Sequence, residues 1–141
     1  MPQKFKTRPM CLQCKNIVSR PTMKYCCQQC QIDHRHDIYI SNWLDGNEKG
    51  WIRAEGSHSM SVSRHIRRYL SDIHGEQCWE CGWNKKHSTT NKVPLAVDHI
   101  DGDAMNCVVS NLRLLCPNCH SLTLNFGALN IGNGKRKRFK N

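Results

Sequence analysis

Acidic residues and long hydrophobic runs are both scarce in this sequence of 141 residues. Its 11 aspartates and glutamates stand against 21 lysines and arginines, which gives a formal net charge of +10. No apolar stretch approaches the roughly 20 residues of a membrane-spanning helix, and the N-terminal MPQKFKTRPM lacks the apolar core of a secretory signal peptide. We therefore expect a cytoplasmic protein with no membrane partner, whose basic charge serves solubility or indicates a nucleic-acid partner.

Hydrophobic residues are also few for a chain that must fold. They make up 38% of the sequence, less than in a typical globular domain, and so short a chain buries only a modest share of its surface. A further cross-link is therefore needed. Eight of the ten cysteines form four close pairs. The pairs are Cys11 with Cys14, Cys26 or Cys27 with Cys30, Cys78 with Cys81, and Cys116 with Cys119.

Structural zinc explains these pairs better than disulfide bonds do. Disulfide frameworks belong to secreted proteins, whereas paired C-x-x-C sequences in a cytosolic protein indicate zinc. A site of four thiolates and one Zn²⁺ has no open position, so it is structural rather than catalytic. Each such site carries −2, and two of them would lower the net charge of +10 only to about +6.

The first cluster leaves one ligand open. On a helix, Cys26 and Cys30 stand four residues apart and Cys27 and Cys30 stand three apart, and both spacings place two sulfurs on one face. Spacing alone does not choose between Cys26 and Cys27.

We expect a small, zinc-stabilised α+β protein in four segments. Residues 1–35 form an N-terminal zinc module, and residues 36–75 are a mainly helical segment. Residues 76–126 hold the second cluster and the candidate active site, and residues 127–141 are interpreted as a flexible, basic tail.

Two helices are expected within residues 36–75. Gly46 can end the first, and Gly75 can cap the second. Their apolar stripes are Ile40, Trp43 and Leu44 in the first, and Val62, Ile66, Tyr69, Leu70 and Ile73 in the second.

Two basic groups are candidates for phosphate contact. An ordinary solvated surface explains the first equally well, whereas for the second, contact with the nucleic-acid backbone is favoured over a disordered, solubilising end. One is the arginine face of the second helix, and the other is the tail. Their members are Arg64, Arg67 and Arg68, and Lys135, Arg136, Lys137 and Arg138.

Residues 93–123 predict a strand, a loop, a second strand and a short helix. VPLAVDHI, residues 93–100, alternates as a strand does, and Asp101–Gly102 begins a turn. Leu112 to Leu115 can form the returning strand, and Pro117 suits the first turn of a helix.

This region resembles the HNH, or ββα-metal, endonucleases. VDHIDGD at 97–103 and SNLRLLCPNCHSLT at 110–123 match the motif, whose three letters fall on His99, Asn111 and His120. HIRRYL at 65–70, CGW at 81–83 and NFGALNIGNGK at 125–135 are similar to phage-encoded, free-standing homing endonucleases, so the resemblance covers about residues 36–135.

The resemblance implies a role for each motif residue. His99 would be the general base, Asp98 and His120 would bind one catalytic Mg²⁺ or Mn²⁺, and Asn111 would bond across the loop and support His99. Adjacent strand residues point to opposite faces, so alternation alone does not predict that Asp98 and His99 share a site. Asp101 and Asp103 are interpreted as turn residues.

The first cluster also resembles a known type, the short zinc modules of phages and bacteria. There, C-x-x-C is followed by an aromatic residue and C-S-x-x-C. That register implies Cys11, Cys14, Cys26 and Cys30 as ligands and leaves Cys27 spare. Cys107 has no partner in this scheme and is expected to be a small apolar filler.

The implied function is metal-dependent cleavage of double-stranded DNA, with no small-molecule substrate. Whether one or both strands are cut, and whether the protein is a monomer or a dimer, does not follow from the sequence. A noncatalytic zinc-ribbon protein that binds nucleic acid, or a zinc-dependent adaptor, would explain the charge and the cysteines. Neither explains why Asp98, His99 and His120 stand in nuclease register.

Overall fold

A computed structural model describes residues 7–53, 55–56 and 59–130. The chain divides into two compact units, Met1–Asn42 and Trp43–Asn141. Helices and short antiparallel strands are combined, so the predicted small α+β fold is confirmed. The helices are α1 (Gln28–Leu44), α2 (Arg64–His74) and α3 (Pro117–Ser121), and the strands are β1 (Trp51–Arg53), β2 (Met60–Val62), β3 (Ala96–His99) and β4 (Leu112–Leu115). No helix in this described part is long and apolar enough to cross a membrane.

The first unit folds around a cysteine turn and the start of α1. Met10 and Ile17 form an isolated antiparallel bridge that closes the turn. Cys11 and Val18 are fully buried there. Helix α1 begins at Gln28, so the boundary predicted between residues 35 and 36 falls inside a helix. The division into four functional segments stays a prediction.

The loop expected between the two helices contains a β-hairpin, which lies between the end of α1 and the start of α2. Strand β1 pairs with β2, with Trp51 opposite Val62 and Arg53 opposite Met60. Strands of three residues are too short to show alternation in the sequence. Gly46 follows the end of α1, as expected, with a φ of +79°.

Helix α2 is amphipathic, as predicted, although its apolar stripe is only partly buried. Ile66 and Leu70 are buried, whereas Ile73 near the helix end is 48% exposed. The helix begins after Ser63, whose hydroxyl accepts a hydrogen bond from the His65 N–H, and it ends at Gly75.

The predicted order of strand, loop, strand and helix is confirmed in the second unit. Strand β3 pairs antiparallel with β4, so that Asp98 lies opposite Arg113 and His99 opposite Leu112. The strand is shorter than the predicted range of 93–100. Helix α3 packs against both strands and begins at Pro117. These elements form a ββα unit, and Leu112, Leu114 and Leu115 of β4 are buried in the core.

Gly50 offers a test of how tightly this core is closed. A Cβ at Gly50 would lie 2.7 Å from Cys107 Cβ and 2.8 Å from Ile66 Cδ1. Gly46 has the same φ of +79°, but a Cβ added there would meet nothing within 4 Å. We expect Gly46→Ala to lose about 1 kcal/mol of unfolding free energy through its backbone alone, and Gly50→Ala to lose a further 1–3 kcal/mol, roughly, through overpacking. Thermal or urea unfolding of both variants measures the difference, and equal losses would contradict the packing.

Candidate metal centres and active site

Two groups of four cysteines each bring their sulfurs together. Within each group all four sulfur atoms lie within 4.8 Å of one another. Cys81 and Cys116 Sγ are 3.8 Å apart, close to the edge of about 3.8 Å in a tetrahedron with Zn–S bonds of about 2.3 Å. Both donor sets therefore suit zinc. The groups are Cys11, Cys14, Cys26 and Cys30, and Cys78, Cys81, Cys116 and Cys119.

Cys27 lies outside the first group and has a different contact. It directly precedes α1, and its sulfur accepts a hydrogen bond from the Cys30 N–H at 3.5 Å. Cys116 makes the same contact with the Cys119 N–H at the start of α3, at 3.4 Å. Cys26 also precedes α1, so the expectation that its sulfur and that of Cys30 share a helical face is wrong; a turn brings them to 3.4 Å.

Backbone amides favour the ligand form of one buried cysteine in each group. Burial raises the pKa of Cys11, but hydrogen bonds from the backbone of Cys14, Cys26 and Gln13 overcome that effect and lower the pKa to about 6. Burial likewise raises the pKa of Cys78, and backbone hydrogen bonds overcome that effect and lower the pKa to about 6. A thiolate at neutral pH is the species that binds zinc.

Zinc content tests this assignment. We expect two zinc ions per chain for the wild-type protein and for Cys27→Ser, and one for Cys26→Ser, because serine does not replace a thiolate ligand. Native mass spectrometry with elemental analysis measures the content. Loss of zinc from Cys27→Ser, with retention by Cys26→Ser, would reverse the assignment.

Asp98 is held at the end of β3 by its cross-strand neighbour. Its side chain is only 8% exposed, and Arg113 Nε donates to its Oδ2 at 2.8 Å. Arg113 also donates through Nη1 to Glu80 Oε1 at 2.5 Å. Since Glu80 lies between Cys78 and Cys81, one arginine links the cysteine turn to the Asp98 carboxylate.

The other carboxylate oxygen faces His120. Asp98 Oδ1 lies 3.8 Å from His120 Nε2, which is too long for a direct hydrogen bond. Two bonds of about 2.1 Å to one ion span at most about 4.2 Å, so the separation fits two ligands of one divalent cation. Phe126 packs edge-on against the His120 ring, with the centroids 5.3 Å apart.

The His99 ring contacts Cys107. Its Nε2 lies 3.5 Å from Cys107 Sγ. Burial lowers the pKa of His99, against the opposing effect of Asp101, Asp98 and Asp103, and so favours the neutral imidazole that a base requires.

Asn111 holds the loop between the strands. Its Oδ1 accepts from the Asp101 N–H at 3.0 Å, and its Nδ2 donates to Asp101 Oδ1 and to Asn106 O, both at 2.8 Å. The Ile100 N–H donates to the Asn111 carbonyl, directly after His99. Asn111 thus forms hydrogen bonds across the loop that follows His99, and its role in supporting His99 stays a prediction. The Asp101 carboxylate also accepts from the Asp103 N–H, which suits a turn residue.

Several contacts of this site were not anticipated. Arg113 and Glu80 were missed, and a register that paired Asp98 with Arg113 would have revealed the first. Asn125 Nδ2 donates to the Ile100 carbonyl at 3.1 Å, and Asn130 Nδ2 donates to the Gly102 carbonyl at 2.8 Å. The segment after α3 is therefore part of the site's support.

The three arginines of α2 differ from one another in their contacts. Arg67 donates through Nη1 to the Leu95 carbonyl, a structural contact before β3. Arg68 pairs with Asp72 at 3.7 Å, and Arg64 is exposed. The tail residues lie outside the described residues; they are Lys135, Arg136, Lys137 and Arg138.

Comparison with known proteins found one similar class of protein. No family model matches the chain, and no solved structure matches it. Over 59 residues, 40% of this chain, the sequence is 42% identical to the H-N-H endonuclease F-TflIV of Escherichia phage T5. The chain spans about a quarter of that relative's length, because the match covers 24% of it. The predicted resemblance to the HNH endonucleases of phages is thereby confirmed.

Proposed function

We propose that this protein is a metal-dependent DNA endonuclease that hydrolyses phosphodiester bonds. The observation that carries the proposal is the pairing of Asp98 Oδ1 with His120 Nε2, 3.8 Å apart at the meeting point of β3 and α3. A carboxylate and an imidazole leave most positions of a cation to water and phosphate oxygens. The similarity to the phage T5 H-N-H endonuclease supports the same function.

The residues divide the chemistry between them. Asp98 and His120 would hold Mg²⁺ or Mn²⁺, which neutralises the charge that develops on the phosphate. His99 takes the proton of the attacking water, and burial lowers the pKa of His99 and so favours the neutral form that a base requires. Arg113 fixes the Asp98 carboxylate so that Oδ1 stays turned toward His120. Asn111 keeps the intervening loop closed.

We further propose that the enzyme is of the phage homing type. It would cut a defined DNA target and act in the cytoplasm of the host cell. The phage origin of the similar endonuclease supports this, as does the match of HIRRYL and NFGALNIGNGK to such enzymes. A single site of this kind acts on one strand at a time. Cutting of both strands then requires two successive nicks or a dimer.

Removal of the base tests the mechanism. We expect His99→Ala to lower the rate of Mg²⁺-dependent cleavage about 10²–10⁴-fold, because it removes general base catalysis. His87→Ala is the matched control, since His87 is exposed and caps a turn through Nδ1, and it should cleave as the wild type does. End-mapping on each strand of the source genome's DNA measures the products. Undiminished cleavage by His99→Ala would contradict the proposed role of His99 as the general base.

A noncatalytic nucleic-acid-binding protein is the alternative from another class. It accounts for the two zinc-type sites and the charge of +10. Salt-dependent binding of duplex DNA without any Mg²⁺-dependent cleavage would favour it.

The exposed Arg64 tests the proposed DNA contact of α2. We expect Arg64→Ala to weaken DNA binding and to reduce the slope of log K against log salt by about 0.9, the effect of one phosphate contact. Arg64→Lys keeps the charge and should keep the slope. Fluorescence anisotropy over a salt series measures both, and an unchanged slope in Arg64→Ala excludes a contact at this position.

A further inference from the structure

Cys107 belongs to neither cysteine group, yet its position is closely defined. It is only 4% exposed, and its carbonyl accepts a hydrogen bond from Trp43 Nε1 at 2.8 Å. Gly50 approaches so closely that an added Cβ would lie 2.7 Å from Cys107 Cβ. The backbone and Cβ of Cys107 are therefore closely positioned, and its sulfur lies 3.5 Å from His99 Nε2.

The direction of that hydrogen bond follows from the second contact of the sulfur. Cys107 Sγ lies 3.7 Å from the Ala104 carbonyl, which can only accept. A thiol has one proton, and donation to Ala104 leaves the sulfur as an acceptor toward His99. Burial, together with Asp103 and Asp101, raises the pKa of Cys107 to about 11, so the proton stays on the sulfur at neutral pH.

The acceptor sulfur selects one form of the ring. A neutral histidine carries its proton on one nitrogen, and the hydrogen bond made by one nitrogen decides the state of the other. If Nε2–H donates to Cys107, then Nδ1 has the free lone pair. In the other tautomer, with the proton on Nδ1, the Cys107 thiol would donate its proton to the lone pair of Nε2. The Ala104 carbonyl would then have no hydrogen bond from the thiol.

We propose that Cys107 is a positioning residue that holds His99 in the Nε2-protonated tautomer and so leaves Nδ1 as the acceptor of the water's proton. The proposal rests on the proposed function of His99 as the general base. It assigns Cys107 a polar role in place of the apolar filling expected from the sequence, and the contacts with His99 and Ala104 support it.

Nitrogen spectroscopy reads the tautomer directly. The zinc-loaded full chain is labelled with ¹⁵N-histidine and measured at about pH 8, where an ordinary histidine is neutral. His99→Gln identifies the His99 signals by their loss. We expect a protonated Nε2 and an unprotonated Nδ1 in the wild-type protein. A protonated Nδ1 overturns the proposal without the need for any variant at Cys107.

Substitutions at Cys107 separate positioning from packing. Cys107→Ser keeps one donor and an acceptor and should keep the tautomer. Valine is similar in size to cysteine but can neither donate nor accept a hydrogen bond. For Cys107→Val we expect a mixture of His99 tautomers and a fall in kcat of roughly tenfold, with KM for DNA unchanged. Cys27→Ser, the other cysteine outside both groups, is the control and should leave the His99 signals as they are.

The outcomes distinguish this proposal from the nuclease function. A wild-type tautomer spectrum retained in Cys107→Val overturns the positioning role, and if that variant does not fold, Cys107→Ser and the wild-type spectrum still decide. A protein with the expected tautomer that does not cleave DNA refutes the nuclease function alone. A protein that cleaves with the opposite tautomer refutes this proposal alone.

Discussion

The convergence of four sulfurs in the second unit is the constraint on which the candidate site depends. Two of them come from the turn at Cys78 and Cys81, and two from the junction of β4 and α3, Cys116 and Cys119. Their closure fixes the turn against β4, where the Trp79 N–H donates to the Leu114 carbonyl at 2.8 Å. A chain with so small a core is poorly able to fix such a junction by apolar burial alone, and a metal ion bound by the four sulfurs would supply the missing cross-link.

A short chain of hydrogen bonds links the cysteine turn to the Asp98 carboxylate. Glu80 is carried by the cysteine turn and accepts a hydrogen bond from Arg113, whose Nε in turn holds Asp98. The carboxylate is thus fixed on one oxygen and free on the other. At the far end of the same hairpin, Cys116 caps α3 and orients the first turn that carries His120. One cysteine group therefore supports both proposed ligands of the catalytic cation.

The two neighbours on β3 serve different sides of the unit. Asp98 contacts Arg113 and faces His120, whereas His99 contacts Cys107 near the buried Trp43. This is the separation that a strand requires of adjacent residues. The loop after β3 connects the two sides, and its shape comes from the polar contacts of Asn111 and from Gly102, whose φ of +75° and close neighbours leave no room for a side chain. The candidate site therefore depends on loop geometry as much as on the motif residues.

The sequence alone determined the cysteine pairs, the amphipathic α2, the order of strand, loop, strand and helix, and the residues of the motif. Each of these is a local pattern, in which spacing along the chain translates directly into neighbours in space. Three-residue strands β1 and β2 carry no such pattern and were missed. Arg113, Glu80 and Asn125 act through contacts between distant segments, and only the tertiary structure identified them. The same holds for Cys107, since a solitary cysteine becomes meaningful only when folding brings His99 and the Ala104 carbonyl to its sulfur.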